Sequence, residues 1–236
     1  FENDRLTQVQ TIFEASHQRQ GHYSGKIAFD RTGYMFLTVG DRQVPPEGNL
    51  EAHPAQELTN HHGKIVRLHD DGRVPADNPF VSRAGAKPEI WSYGHRNMQG
   101  AALNPQSGKL WTHEHGARGG DEINIPDAGK NYGWPVITWG IDYSGAKIGI
   151  GTHQDGVEQP LKYWVPSIAP SGMAFYTGDL FPKWRGSLFV GALAGQMLVR
   201  LDVDGEKVGN EERLLQNLRE RIRCNGPTVA LPGASC

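Results

Sequence analysis

Apolar and polar residues alternate with a period of two through several short stretches of this chain, while helical periodicity is nearly absent. In GHYSGKIAFDRTGYMFLTVGDR, from Gly21 to Arg42, two apolar runs flank a Gly-containing turn, which predicts a β-hairpin. The pattern recurs as GAALNPQSGKLWTHEHG from Gly100 and GMAFYTGDLFPKWRGSLFVGAL from Gly172. Counted from Gly25, the intervals are 75 and 72 residues. Recurring strand pairs at a near-constant period predict an all-β fold, a propeller or another radial array. KIVRL (Lys64 to Leu68) and MLVRLDVDGEKV (Met197 to Val208) predict further strands, the second with a hairpin turn at DVDG. EERLLQNLRER, Glu211 to Arg221, is the nearest candidate for a helix. The polar segments Pro45 to Gly63 and Val74 to Phe80 predict long loops, which in a propeller gather on one face and build the site.

Two strands that fold back return the chain to its starting edge. His22 and Asp41, nineteen positions apart, are therefore predicted to meet. An imidazole beside a carboxylate is the arrangement of an oriented general base. It is also a common surface pair, and the spacing alone leaves both readings open.

Composition narrows the classes. A chain of 236 residues suits one domain over 1–236, since all-β domains often run this long. The 30 Gly and 15 Pro fit many tight turns. A net charge of −2 offers no global basic field for nucleic acid. No apolar run reaches about 18 residues, so no membrane-spanning helix is predicted. Cys224 and Cys236 are the only cysteines, which excludes a disulfide framework and leaves the redox compartment open. Three repeats are too few to close a ring, so the expectation is a partial propeller. Residues 224–236 read as an atypical tail, a frameshifted or artificial end, where a fourth repeat is expected.

Candidate chemistry lies between the repeats. GHRN, Gly94 to Asn97, places an imidazole, a guanidinium and an amide just before a strand. Arg96 can hold a carboxylate or quinone oxygen through its planar fork, or it can cap loop carbonyls. Between Thr112 and Pro135, DEIN and NYGWP are rich in the oxygen donors that Ca²⁺ takes, without the spacing of a regular calcium loop. His113 and His115 share a strand face and can bind a transition metal, but no third ligand has an obvious place. His61 and His62 read as satisfying loop hydrogen bonds; His17, His53, His69 and His153 read as solvated. Trp91, Trp111, Trp134 and Trp184 read as core. No G-x-G-x-x-G opens a helix, which argues against NAD.

Together HYSGKIAFD, TVGDR, AQEL, HHGKIVRL, VPADNPF, SYGHRNMQG, DEIN, NYGWP and SIAPSGM resemble the soluble pyrroloquinoline quinone (PQQ)-dependent glucose and aldose sugar dehydrogenases, the aldose branch more closely. The resemblance runs from about Thr7 to Arg223. It implies a six-bladed β-propeller with PQQ and Ca²⁺ in a cleft on top. It implies oxidation of an aldose at the anomeric carbon to a lactone, with an external electron acceptor. His22 takes the family's general-base place and Asp41 that of its orienting partner. Arg96 and Asn97 match the pair at the quinone, the Arg touching its reactive carbonyl, and Arg221 and Arg223 match two arginines that hold quinone carboxylates. Gly116 and Ala117 match the backbone carbonyls that bind the quinone-linked Ca²⁺; Glu122 and Tyr132 match a second Ca²⁺ region. The family habit places the protein in the periplasm or outside the cell.

The chain departs from the pattern at Ala194, where the family often has a quinone-binding Lys, and at Gly21, where the glucose-specific branch is acidic. An early substrate-side Gln of that branch corresponds to a position before Phe1, and the final blade to one after Arg223. Two other functions remain consistent with a propeller: a non-catalytic extracellular binding module, and a calcium-dependent lactonase-like hydrolase. The hydrolase requires a ring of acidic residues around a central metal, and the carboxylates here fall mostly in loops and turns.

Overall fold

A computed structural model describes residues 7–16 and 21–223. His17 and the tail 224–236 lie outside the described residues. The described chain forms twelve strands in three four-stranded sheets, each an antiparallel meander in sequence order. The first holds β1 (Ser24–Phe29), β2 (Met35–Val39), β3 (Lys64–Leu68) and β4 (Ile90–Tyr93). The second holds β5 (Asn97–Leu103), β6 (Leu110–His115), β7 (Asp121–Asn124) and β8 (Lys162–Trp164). The third holds β9 (Pro170–Phe175), β10 (Leu188–Ala192), β11 (Met197–Asp204) and β12 (Lys207–Leu214).

Gly25, Gly100 and Gly172 fall on β1, β5 and β9, so the sequence period is one sheet. These first strands neighbour one another, β1 beside β5 and β5 beside β9. That is the radial packing of propeller blades.

Alternation explains the strands and their burial. In β11, Met197, Val199 and Leu201 are buried, while Leu198, Arg200 and Asp202 are less so. Apolar side chains of neighbouring sheets form the cores between them. Phe36 and Ile65 of the first sheet cluster with Met98 and Leu110 of the second. Trp111, Ile123 and Trp164 of the second cluster with Phe175, Leu188 and Val190 of the third. Trp111 meets Phe175 edge-on, with ring centroids 5.5 Å apart.

Glu211 to Arg221, the nearest candidate for a helix, does not form one. Glu211 to Leu214 complete β12, and only Gln216–Leu218 makes a 3-10 turn. As the outer strand, β12 pairs on one side only, so its charges face water without cost. Among the described residues no helix is long and apolar enough to cross a membrane.

Candidate active site

In an antiparallel meander, the start of the first strand and the end of the second lie at the same end of the sheet. That places His22 before β1, Asp41 after β2, Arg96 before β5 and Gly116 after β6 on one face. The face is stitched across sheets: the Asp41 N–H donates to the Arg96 carbonyl at 2.8 Å, and the His115 ring to the Pro170 carbonyl at 2.5 Å.

His22 and Asp41 meet, as the hairpin predicts. Nδ1 of His22 lies 2.6 Å from Oδ1 of Asp41, so the carboxylate selects the tautomer that carries its proton on Nδ1 and leaves Nε2 as the acceptor. His22 is 16 % exposed and Asp41 1 %. The carboxylate also accepts from the Gln43 N–H at 2.9 Å and from the Trp134 indole at 2.8 Å. His22 itself has φ 41°, in the left-handed region. Gly40 permits this close approach: a Cβ there would lie 1.9 Å from the His22 carbonyl oxygen.

Arg96 faces a cleft lined also by Glu114, His115, Gly116, Glu122, Tyr132 and Trp134. The opening has room for about one water-sized particle. Arg96 Nη1 donates to the carbonyls of His115 at 3.1 Å and Gly116 at 2.5 Å, so the capping role is present. Its Nε is buried without a partner. The guanidinium lies 5.0 Å from the Trp134 ring centroid. Asn97 accepts from Gln99 at 2.8 Å and Ser24 at 3.4 Å, tying β5 to β1.

The cleft floor is acidic. Glu114 accepts from the Arg96 N–H at 2.5 Å and from the Asn124 amide at 3.2 Å, and lies 3.2 Å from His95 Nδ1. Glu122 shares that Asn124 amide at 3.2 Å. Burial and the neighbouring Glu114 push the Glu122 carboxyl well above the usual carboxylate range. The Tyr132 hydroxyl donates to the Ile125 carbonyl at 2.5 Å, and its ring stacks on His95 with centroids 4.6 Å apart. Burial raises its pKa. Asp121 is an organiser of loops: its oxygens accept from the Gly116, Ile168 and Ala169 N–H groups at 3.0, 2.8 and 2.9 Å.

Arg221 and Arg223 are both exposed and flank Ile222. The Ile222 carbonyl accepts from Ser171 Oγ at 2.6 Å, and its N–H donates to Ala192 at 3.3 Å. The Ile222 backbone therefore lies beside the start of β9 and the end of β10, with Arg221 and Arg223 next to it in the chain.

Three readings of side chains change. His53, expected in solvent, is buried, with Nδ1 accepting from the Ala55 N–H at 3.1 Å. His62, expected to be hydrogen-bonded, is buried with neither ring nitrogen partnered, and burial lowers its pKa to about 4. His61 does find partners, in Ser16 and Glu89. His113 and His115 part company: His113 is fully buried, and His115 is spent on Pro170. Trp134 is buried in a core cluster, as its core reading has it, and also touches both Asp41 and Arg96. Neither Trp134 nor Glu114 stands out in sequence. Their only signal is membership of the NYGWP and THEHG stretches.

A family model described as glucose/sorbosone dehydrogenase matches residues 1–225. The chain belongs to this family. It is 48 % identical over 223 residues to the aldose sugar dehydrogenase YliI of Escherichia coli, covering 93 % of this chain and 58 % of that protein. A crystal structure of a glucose dehydrogenase superposes with TM-score 0.89 at 53 % identity, covering 94 % of this chain and 63 % of the other. The PQQ-bound aldose sugar dehydrogenase of Streptomyces coelicolor superposes with TM-score 0.66 at 27 % identity, covering 86 % and 52 %. The chain thus spans roughly three fifths of the length of the first two relatives.

The residues present fit a quinone. Arg96 keeps an unpartnered buried donor, Nε, at the cleft, suited to a quinone oxygen. For Ca²⁺, two carboxylates beside the buried, unpartnered Asn124 Oδ1 make a hard-oxygen set near Glu122 and Tyr132. At Gly116 one lone pair of the carbonyl already accepts from the Arg96 cation.

Proposed function

We propose that this chain forms the catalytic face of a PQQ-dependent aldose dehydrogenase, contributing three blades to a six-bladed propeller. The substrate is an aldose, oxidised at the anomeric carbon to its lactone, and an external acceptor removes the electrons. One observation carries the reading: the His22–Asp41 pair stands on the same face as Arg96, with His22 Nε2 left as a proton acceptor.

The chemistry divides between residues and cofactor. Oxidation at an anomeric carbon removes a hydroxyl proton and a hydride. His22 Nε2 accepts the proton, and Asp41 keeps the imidazole in the required tautomer and stabilises the imidazolium. PQQ, when bound, supplies the hydride acceptor that no side chain provides. Arg96, with Asn97 beside it, presents donors to an oxygen that gains negative charge. Arg221 and Arg223 pair with the carboxylates of the same cofactor. Calcium is assigned to the Glu122–Tyr132 region, where it would ionise Glu122 and offset its repulsion from Glu114.

The hydrolase alternative requires converging acidic ligands. Among the described residues no group of three or more His, Cys, Asp or Glu side chains is placed to hold a metal. The test is reconstitution of the full chain with PQQ and Ca²⁺, following reduction of an artificial acceptor with a panel of aldoses. We expect quinone-dependent turnover that falls by about a hundredfold or more in His22→Ala. Turnover equal in the variant would sink His22 as the base, and no quinone-dependent turnover would sink the dehydrogenase.

A further inference from the structure

Trp134 stands between the two halves of the site. Its indole N–H donates to Asp41 Oδ2 at 2.8 Å, the oxygen that His22 does not use. Its ring faces the Arg96 guanidinium at 5.0 Å. Its backbone is fixed to the crossover that carries Arg96: the N–H donates to the Gly94 carbonyl at 2.8 Å, and its carbonyl accepts from Gln56 Nε2 at 2.7 Å.

Packing alone does not account for this tryptophan. The ring clusters with Ala55, Ala117 and Ile148, contacts that any large apolar ring supplies. Nor is an indole donor automatically partnered in this chain, since Trp111 Nε1 and Trp139 Nε1 are both buried without one. The Trp134 donor is spent on the one carboxylate that orients His22. A buried carboxylate oxygen that loses its donor turns to find another, and turning Asp41 moves Oδ1 off His22.

We infer that Trp134 is a positioning residue, holding Asp41 so that His22 keeps its proton on Nδ1 and locking that pair to the Arg96 crossover. The catalytic consequence rests on the dehydrogenase reading above; the effect on the imidazole does not. The other titratable groups in electrostatic contact with the pair are His53 and His62, which face Asp41, and His115, which faces His22; all are retained in a Trp134 variant.

Trp134→Phe keeps a ring under Arg96 and deletes only the donor. In the full chain without cofactor, ¹⁵N NMR of the neutral His22 ring should show Nδ1 protonated in the wild type and mixed tautomers in the variant. In the reconstituted enzyme, kcat should fall about tenfold with KM nearly unchanged. Adding Trp134→Phe to Asp41→Asn should cost nothing further, because the two act through one carboxylate. Unchanged ring-nitrogen shifts in Trp134→Phe, or losses that add in the double variant, would overturn the inference. A wild type without quinone-dependent turnover removes the dehydrogenase reading, while the ¹⁵N result still decides the role of Trp134. If Trp134→Phe fails to fold, the wild-type Trp134 indole resonance serves instead: it should shift in His22→Ala, and an indole blind to that change would overturn the inference.

Discussion

Asp41 is almost fully buried and accepts from an imidazole, a backbone N–H and an indole, so its charge is distributed over fixed donors instead of water. Lys64 is treated the same way: its buried ammonium donates to the carbonyls of Pro54, Ala55 and His62 at 3.0, 3.0 and 2.6 Å. Burial drives its pKa well down. His113 is compensated less: the backbone of Ser171 and Gly172 acts to raise its pKa, but burial outweighs this and lowers it from 6.5 to about 3. The folded chain therefore binds fewer protons than the unfolded chain between those values. Stability contributed by neutral His113 is present above pH 6.5 and is lost as pH falls toward about 3. The loss is on the order of 2–4 kcal/mol. Urea midpoints measured across that window should fall with pH, and fall less in His113→Gln. Equal slopes in the two proteins would remove His113 as the cause.

At the scale of elements, each strand earns its place by what lies across from it. Gly100 on β5 pairs with His113 on β6, and a Cβ at Gly100 would meet the His113 ring at 2.2 Å. Trp111, fully buried on the same strand, anchors the core between the second and third sheets. Trp111→Ala leaves a cavity there and should cost about 3–5 kcal/mol, read as a lowered urea midpoint. A cost below about 1 kcal/mol would mean that the two sheets do not depend on that core. At the outer edge, Arg200 and Glu212 pair across β11 and β12 at 2.7 Å, an exposed contact expected to contribute little.

At the scale of the molecule, the proposed site draws on all three sheets: His22 and Asp41 flank the strands of the first, Arg96 and Glu122 belong to the second, and Arg221 and Arg223 follow the third. A ligand gripping residues from all three should stabilise the whole. PQQ with Ca²⁺ at about 100 times its dissociation constant is expected to add about 2.7 kcal/mol, seen as a raised Tm. The increment should shrink in Arg96→Ala. An unchanged Tm at saturating cofactor would mean that these residues do not form one binding site.

The sequence by itself determined the all-β class, the period of one sheet and the meeting of His22 with Asp41. These follow from alternation and turn chemistry, which act over a few neighbouring residues. The same local logic left Glu211 to Arg221 as the nearest helix candidate, where an outer strand carries charges in a pattern that also suits a helix. Burial of His53 and His62 was not legible, because each depends on what another loop places against it. Only the tertiary structure decided that the Trp134 donor goes to Asp41, 93 residues away, and that Glu114 and Glu122 share one amide. A hydrogen bond between distant loops has no period to leave in the sequence; it exists only once the sheets have packed.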